Sequence, residues 1–407
     1  VVDTLGKESN VYSLSVTTDA YVLPRVTNVS TSSTDSSITI NVSASGGTGN
    51  VVKYYYSKDN GSNYVESTSS SYTFNNLTSD ATFYVKVYVK DSNNRDSSVS
   101  ATSIRTKSNS LASYIKSKYT SQGSNGIYYH DATLTNGAND NSYRFAGASD
   151  AVNNYVCFGS TTTLCPADNL YRIIGVFGDK VKLIKSDYAN SNLLGTDGDY
   201  NTYTYSKSSK PLYKGKLTTI NTYHWNNSTK NNTWSESNLN KTNLNTNFIN
   251  NIRSEWVKKI ATTTWKVGGN TSANIYSKTP SVAYQNEVVN PVTTNTTDGK
   301  TEYSAKIGLM YASDYGFAAA QSAWTANLNT YNDEAIKNVN WMYMGLYEWT
   351  ISRFADDASY LFIADITGSV NSNYANGAIA VRPVFYLTSS VNYVSGSGSA
   401  TDPILVN

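Results

Sequence analysis

The chain has 407 residues, of which 39% are hydrophobic and only 15% are charged, and its formal net charge is +2. This length predicts two or more domains. A net charge so close to zero gives no reason to expect binding to nucleic acid or to an anionic membrane surface. The 34 tyrosines, against 10 phenylalanines, favour solvated β-sheets with hydroxyl-rich faces.

Residues 1–20 have the same pattern as residues 88–107: a strand, a polar turn, Ser-Val and a β-rich run. We interpret them as the last hairpin of a preceding repeat, and the chain as a piece of a longer protein. The lack of a signal peptide is therefore uninformative. No run of about 18 apolar residues occurs, so no membrane insertion is expected of this fragment.

Residues 21–107 contain short alternating runs separated by turn clusters, which predicts a β-sandwich. The predicted strands are 38–44, 51–62, 71–74, 81–91 and 98–106. This domain resembles a fibronectin type III module, and the residues that carry the resemblance are Pro24, Tyr54, Tyr56, Ser57, Leu77 and Phe83. It departs from that pattern at Val42, where the family has a tryptophan, and at Phe83, where it has a tyrosine. The resemblance implies a spacer.

Residues 108–126 are predicted to be a linker that enters a short helix, and residues 127–407 a single α+β unit. Two strands joined at Gly178-Asp179 are predicted over 171–188. A helix is predicted over 235–260, because apolar residues recur there every four positions. These core residues are Leu244, Phe248, Ile252, Trp256 and Ile260. A second helix is predicted over 313–324, capped by Ser313.

Cys157 and Cys165 are the two cysteines of the chain, and a Gly/Ser/Thr loop separates them. The spacing favours a disulfide, with two free buried thiols or a redox role as alternatives. A disulfide would imply an oxidising, extracellular setting.

The segment from Trp341 to Leu387 combines apolar strands with polar and aromatic loop residues. Strands are predicted at 360–366 and 378–387, and turns at Gly368-Ser369 and Asn376-Gly377. The loop 352–359 has the composition of a recognition loop.

The ordered strings NLYRIIGVFGDKVKLIKSD, IGLMYASDYGFA, WMYMGLYEWTIS and GAIAVRPVFYL resemble those of a family of Gram-positive surface proteins. Their C-terminal domain has a C-type-lectin-like fold of the formylglycine-generating-enzyme type. The resemblance implies a chain that is mostly β, with a C-type-lectin-like α+β domain after the fibronectin type III sandwich. It also implies that residues 395–407 form a closing strand, and that Arg382 either pairs internally or binds ligand.

Relatives with this fold include the variable proteins of diversity-generating retroelements, which hold ligand-facing residues before the last core strands. The matching positions are Trp349, Arg353, Phe354, Asp356, Asp357, Tyr360, Asn373, Tyr374 and Asn376. Aromatic residues supply rigid contact area, and Asn supplies adaptable hydrogen bonds. Trp341 and Trp349 have an alternative role in the core. The resemblance thus implies adhesion to a host or bacterial surface protein or to a glycan, at the cell surface.

The alternative functions are a structural stalk or pilus-like protein with no specific ligand and, less favoured, a glycan-active enzyme. An enzyme is not expected, because formylglycine generation needs active-site cysteines, and none follows Cys165. The candidate groups for other hydrolytic chemistry are Glu348, Asp356, Asp357, Asp365, His130 and His224. The other alternative is a structural stalk, in which Lys-Asn or Lys-Asp cross-links can occur, although the sequence selects no pair. No cofactor is expected; a structural calcium ion has candidate ligands in Asp197, Asp199 and Asp298.

Overall fold

The computed structural model describes residues 1–18, 20–162, 164–205, 218–291 and 300–407. The chain divides into two compact units, Val1–Asn109 and Ser110–Asn407. The candidate calcium ligand Asp298 lies outside the described residues.

The first unit is a sandwich of two antiparallel sheets. Its strands are β1 Arg25–Ser33, β2 Ile38–Ser45, β3 Val51–Ser57, β4 Val65–Ser67, β5 Ser71–Phe74, β6 Thr82–Asp91 and β7 Ser100–Arg105. One sheet has the order β1-β2-β5 and the other the order β4-β3-β6-β7. Alternate residues of β2 and β6, such as Ile38, Ile40, Val85 and Val87, fill the core between the sheets. Val42 takes part in this core. The predicted β-sandwich is confirmed.

Residues 1–18 and 20 form no strand; Val2 and Glu8 make an isolated bridge. The hairpin expected there is therefore not formed. The assignment of this segment to a preceding repeat stays a prediction.

The second unit contains a nine-stranded central sheet and three smaller sheets. Its strands are β8 Ile127–Tyr129, β9 Tyr143–Phe145, β10 Tyr155–Cys157, β11 Leu170–Phe177, β12 Lys180–Lys185, β13 Tyr200–Tyr205, β14 Thr218–His224, β15 Thr263–Lys266, β16 Gly269–Asn270, β17 Glu302–Ala305, β18 Ile307–Gly308, β19 Glu348–Phe354, β20 Tyr360–Ala364, β21 Val370–Tyr374, β22 Ala378–Ile379, β23 Val384–Tyr386, β24 Tyr393–Ser395 and β25 Ile404–Val406.

The central sheet has the order β18-β23-β12-β11-β10-β25-β24, and β9 joins β8 to β11. The predicted hairpin of β11 and β12 is confirmed, and Gly178 turns it with φ +63°. The closing strand β25 pairs in parallel with β10. The other sheets are β16-β19-β20-β21, β13-β14-β22 and β15-β17. The strand expected over 378–387 is interrupted, so that β22 and β23 lie in different sheets.

The helices are short. The α-helices are α1 Leu111–Lys118, α2 Ser191–Leu194, α3 Ser254–Val257, α4 Ser272–Ile275, α5 Pro280–Tyr284, α6 Ala312–Phe317 and α7 Glu334–Lys337. Leu239–Phe248 and Gln285–Val289 are π-helical. The 3₁₀ turns are Ser124–Gly126, Ala167–Asn169, Trp234–Glu236, Gln321–Thr325 and Leu328–Thr330.

The prediction of one helix over 235–260 was wrong, because the chain breaks at Arg253, whose ψ of 142° is extended. Asn and Thr side chains in the π-helical part bond main-chain carbonyls five residues back, as Thr246 does with Lys241. The apolar stripe is nevertheless core, as predicted: Leu244, Phe248, Trp256 and Ile260 are buried and Ile252 packs against them.

The helix expected over 313–324 is also divided, into α6 and the 3₁₀ turn that begins at Gln321. Its N-cap is Tyr311 rather than Ser313, and the Asp314 carboxylate accepts the Tyr311 N–H at 2.9 Å. Cys157 and Cys165 form the expected disulfide.

Candidate functional site

Three loops of the second unit enclose an open cleft of about 520 Å³. They follow β14, connect β19 to β20, and connect β21 to β22. We call this the tyrosine cleft, and its lining residues are Thr229, Lys230, Asn231, Ala358, Ser359, Tyr374 and Asn376. Tyr374 and Asn376 belong to the predicted ligand-facing set, and Ser359 precedes a third member, Tyr360.

Tyr374 and Tyr360 form an aromatic pair at the edge of the cleft. They are register partners on β21 and β20, and their ring centroids are 4.1 Å apart. A hydrogen bond with the Tyr374 side chain raises the pKa of Tyr360 to about 12. Tyr374 is 52% exposed. The pair therefore offers a polar-edged ring surface to a ligand.

Asn232 fixes the loop that connects β19 to β20. Its Nδ2 lies 3.0, 3.1 and 2.8 Å from the carbonyl oxygens of Phe354, Asp357 and Tyr360. Its main-chain N–H donates to Ala358 at 2.7 Å, and the residue is 1% exposed. Asn232 could not be singled out from the sequence, because it stands in an Asn-rich tract where nothing distinguishes it from its neighbours.

The other two loops are joined to this one through the main chain. Ala375 N–H donates to the Ser359 carbonyl at 2.7 Å, and Asn226 N–H donates to the Ala375 carbonyl at 3.0 Å. His224 Nδ1 donates to the Asn376 carbonyl at 2.6 Å. The cleft walls are thus held by paired groups, which favours a preformed site.

Three predicted ligand-facing residues lie in the interior instead. Trp349 is fully buried and donates to the Tyr223 carbonyl at 2.8 Å. Arg353 is 1% exposed and donates to the Lys300 carbonyl at 2.9 Å. Phe354 stacks on Phe362 at 4.3 Å. The prediction that Arg353 and Phe354 face a ligand was wrong, because β19 lies between β16 and β20 and all seven of its residues are buried. Trp349 takes the core role that was its alternative.

The remaining members of the set lie near the cleft without lining it. Asp356 and Asp357 are exposed. The Asp357 carboxylate accepts the N–H and hydroxyl of Ser359 at 2.8 and 2.6 Å, which lowers its pKa. Asn373 is half-buried, and its Oδ1 accepts the Tyr374 N–H at 2.8 Å. Asp357 and Asn373 therefore shape the two loops.

The groups considered for hydrolysis are dispersed. Glu348 is buried and pairs with Arg382 at 2.7 Å, so Arg382 pairs internally. Asp365 accepts the N–H and hydroxyl of Thr367 in a turn. His130 is buried, and desolvation holds its pKa well below the ordinary value.

Asp197 and Asp199, the candidate calcium ligands among the described residues, are already bonded to protein donors. Asp197 accepts Asn247 Nδ2 at 2.5 Å, and Asp199 accepts the Asn227 N–H at 2.7 Å. Within the described ranges, no three His, Cys, Asp or Glu residues cluster in a way that suits a metal ion. In the same ranges no helix has the length and apolarity needed to cross a bilayer.

No family model and no curated protein matches the chain. The PKD1 domain of Vibrio anguillarum Epp is 15% identical over 22% of this chain and 99% of that one, with a TM-score of 0.19. The fn3 domain of human collagen alpha-1(XX) is 18% identical over 23% of this chain and 92% of that one, with a TM-score of 0.19. The chitinase ChiA74 from Bacillus thuringiensis is 14% identical over 51% of this chain and 27% of that one, with a TM-score of 0.20. The structural neighbours of the chain thus include fibronectin type III and PKD β-sandwich domains, over a small share of its length.

Proposed function

We propose that this chain is part of an extracellular adhesion protein, and that the tyrosine cleft binds a cell-surface glycan without turning it over. The second unit acts as a C-type-lectin-like scaffold, and the sandwich acts as a spacer. In the retroelement-type variant of this proposal, Tyr360, Asn373, Tyr374 and Asn376 are the positions that vary between related copies.

The observation that carries the proposal is the exposed Tyr374 ring beside a preformed polar cleft. Sugar rings have apolar faces that pack on aromatic rings, and hydroxyls that bond to amides. The volume of about 520 Å³ falls within the range of small-ligand sites, about 300–1,000 Å³. The disulfide between Cys157 and Cys165 supports an oxidising, extracellular setting.

The experiment is a glycan array probed with the whole chain, followed by affinity measurements on two variants. Tyr374→Ala should weaken binding at least about tenfold, since an aromatic anchor is lost. Tyr84→Ala is the control, because Tyr84 is similarly exposed, at 60%, but lies in the first unit.

Each other outcome has a definite meaning. Equal affinities for the two variants would remove the tyrosine cleft from the proposal. Binding to a cell-surface protein and to no glycan would overturn the ligand class. Binding to neither glycans nor cells would favour the stalk, and a bound glycan recovered in cleaved form would overturn the absence of turnover.

A further inference from the structure

A buried lysine and a buried aspartate meet between the central sheet and α6. Lys182 lies on β12, and Asp314 lies in the first turn of α6. Lys182 Nζ is 2.5 Å from Asp314 Oδ2, and their side chains are 1% and 3% exposed. Ordinary charged N–H···O contacts measure about 2.7–2.9 Å. The amine is therefore close to the carboxyl group in a site that excludes water.

Aromatic rings surround the amine. Lys182 Nζ lies 4.8, 5.4, 5.6 and 5.8 Å from the ring centroids of Tyr311, Tyr386, Phe177 and Trp265. Desolvation in this surrounding lowers the pKa of Lys182. Low polarity disfavours the ammonium form, so the neutral and nucleophilic form of the Lys182 amine is favoured here.

A third group, Glu287, can carry a proton at this site. Its carboxyl oxygens accept the N–H groups of Ala312 and Ser313 at 3.1 and 3.0 Å, next to Asp314 in the chain. Desolvation raises the pKa of Glu287 to about 7, so a protonated form is present at neutral pH. Glu287 is 2% exposed, and the ordered α6 turn holds it in place.

The other charges of the cluster remain balanced without Lys182 and Asp314. Arg144 Nη2 is 2.6 Å from Asp140 Oδ2, whereas its Nη1 is 3.4 Å from Asp314 Oδ1. Arg144 also donates to Ser142 at 2.8 Å. Removal of one positive and one negative charge would thus leave the Arg144–Asp140 pair intact and would remove two costly buried charges.

We propose that Lys182 and Asp314 form an intramolecular isopeptide bond, with Glu287 as the proton carrier. Lys182 Nζ attacks Asp314 Cγ, and the new N–C bond forms as the bond from Cγ to Oδ2 breaks. Arg144 faces Oδ1, where negative charge develops. The proton that the Lys182 ammonium loses goes to Oδ2, and Glu287 takes a second proton from the attacking nitrogen and passes it to Oδ2, which departs as water. One amine and one acid become one amide and one water, and no oxidant, reductant or cofactor is needed.

Lys185 provides a matched control on the same strand. It is also buried, at 2% exposure, and desolvation lowers its pKa to about 8. Its Nζ donates to the carbonyl oxygens of Ala167 and Leu170 at 2.7 and 3.3 Å. A main-chain carbonyl is an amide that cannot condense with the amine with loss of water. The two lysines are equally buried, so the difference that matters for the reaction is the Asp314 carboxyl group beside Lys182.

The primary test is the intact mass of the purified, disulfide-reduced wild-type chain under denaturing conditions. The expected mass is lower than that of the sequence by one water. Protease digestion should yield a branched peptide that joins the segments around Lys182 and Asp314. A mass equal to that of the sequence overturns the proposal, and no variant needs to fold for this result. Loss of water within a linear peptide, such as one containing Asp197-Gly198, overturns it as well.

Variants then identify the groups. Lys182→Met and Glu287→Gln should each have the full mass of their own sequence, whereas Lys185→Met should still lack one water. Asp314→Ala should have the full mass of its own sequence, and an Asp314→Ala chain that still lacks one water would overturn the assignment of Asp314. A Glu287→Gln chain that still lacks one water would overturn the role of Glu287.

Discussion

Strands β19 and β21 lie in one four-stranded sheet, separated only by β20, yet their surroundings are opposite. All seven residues of β19 are buried, although they include Glu348 and Arg353. In β21, which is the edge strand, Val370 is buried at one end and Tyr374 is exposed at the other, so burial decreases along the strand toward the tyrosine cleft. An inner strand must satisfy its polar side chains internally, whereas an edge strand can leave them to solvent or to a ligand.

Composition alone therefore does not identify a recognition surface. Both strands carry aromatic and polar residues, and the sequence predicted ligand-facing positions in each. The neighbours of a strand decide its role: β19 pairs with β16 and β20, and its Trp349 indole has an internal acceptor. The predicted surface is thereby reduced to the residues around Tyr374.

The largest expected effect comes from breaking the charge pair at the start of β19. Arg382→Ala leaves Glu348 buried without its cation, which should lower the free energy of unfolding by about 3–5 kcal/mol. Calorimetry of the second-unit transition measures this loss. Arg253→Ala is the control, because its pair with Glu255 is 64% and 56% exposed, and such pairs contribute about 0–1 kcal/mol. Equal losses for the two variants would contradict an interior role for β19.

A pH dependence should come from Glu287, which accepts the Ser352 hydroxyl of β19. Its pKa is about 7 in the folded chain against an ordinary 4.5, so folding favours the protonated form. The stability that this group contributes is fully present below pH 4.5 and is lost as the pH rises to about 7. The loss should reach about 3 kcal/mol.

Urea unfolding from pH 4 to 8 measures this effect for the wild type and Glu287→Gln. The slopes against pH should be compared, because loss of the proposed cross-link would shift the whole curve of the variant. Glu302→Gln is the control, since the Glu302 side chain is 52% exposed. Parallel slopes for wild type and Glu287→Gln would show that Glu287 titrates normally.

Alternation and turn residues were enough to predict the sandwich, and Gly178 and the cysteine spacing were enough to predict the β11–β12 hairpin and the disulfide. These are local signals. The division of the 235–260 helix was not predictable in this way, because Asn and Thr side chains compete for main-chain groups only in the folded context. The burial of Trp349 and Phe354 was equally hidden, since sheet order depends on pairing with residues distant in sequence.

Asn232 should have an intermediate effect on both stability and binding. Asn232→Asp keeps the shape but removes the donors to three carbonyl groups, which should cost about 1–3 kcal/mol. The loop between β19 and β20 should loosen, so affinity for the glycan found on the array should also fall. Unfolding and binding measurements on the same preparation test both effects. Asn227→Asp is the control, since Asn227 is exposed and its main-chain N–H, which the substitution keeps, donates to Asp199.

Tyr374→Ala should have the smallest effect on stability, because the ring is 52% exposed. A change within about 0.5 kcal/mol is expected for such a surface substitution. The same variant should lose binding. Substitution of Tyr374 should therefore lower affinity but not stability, and substitution of Asn232 should lower both. Substitution of Arg382 should mainly lower stability. A loss of stability at Tyr374 as large as that at Arg382 would mean that β21 belongs to the core like β19, and the contrast between the two strands would then fail.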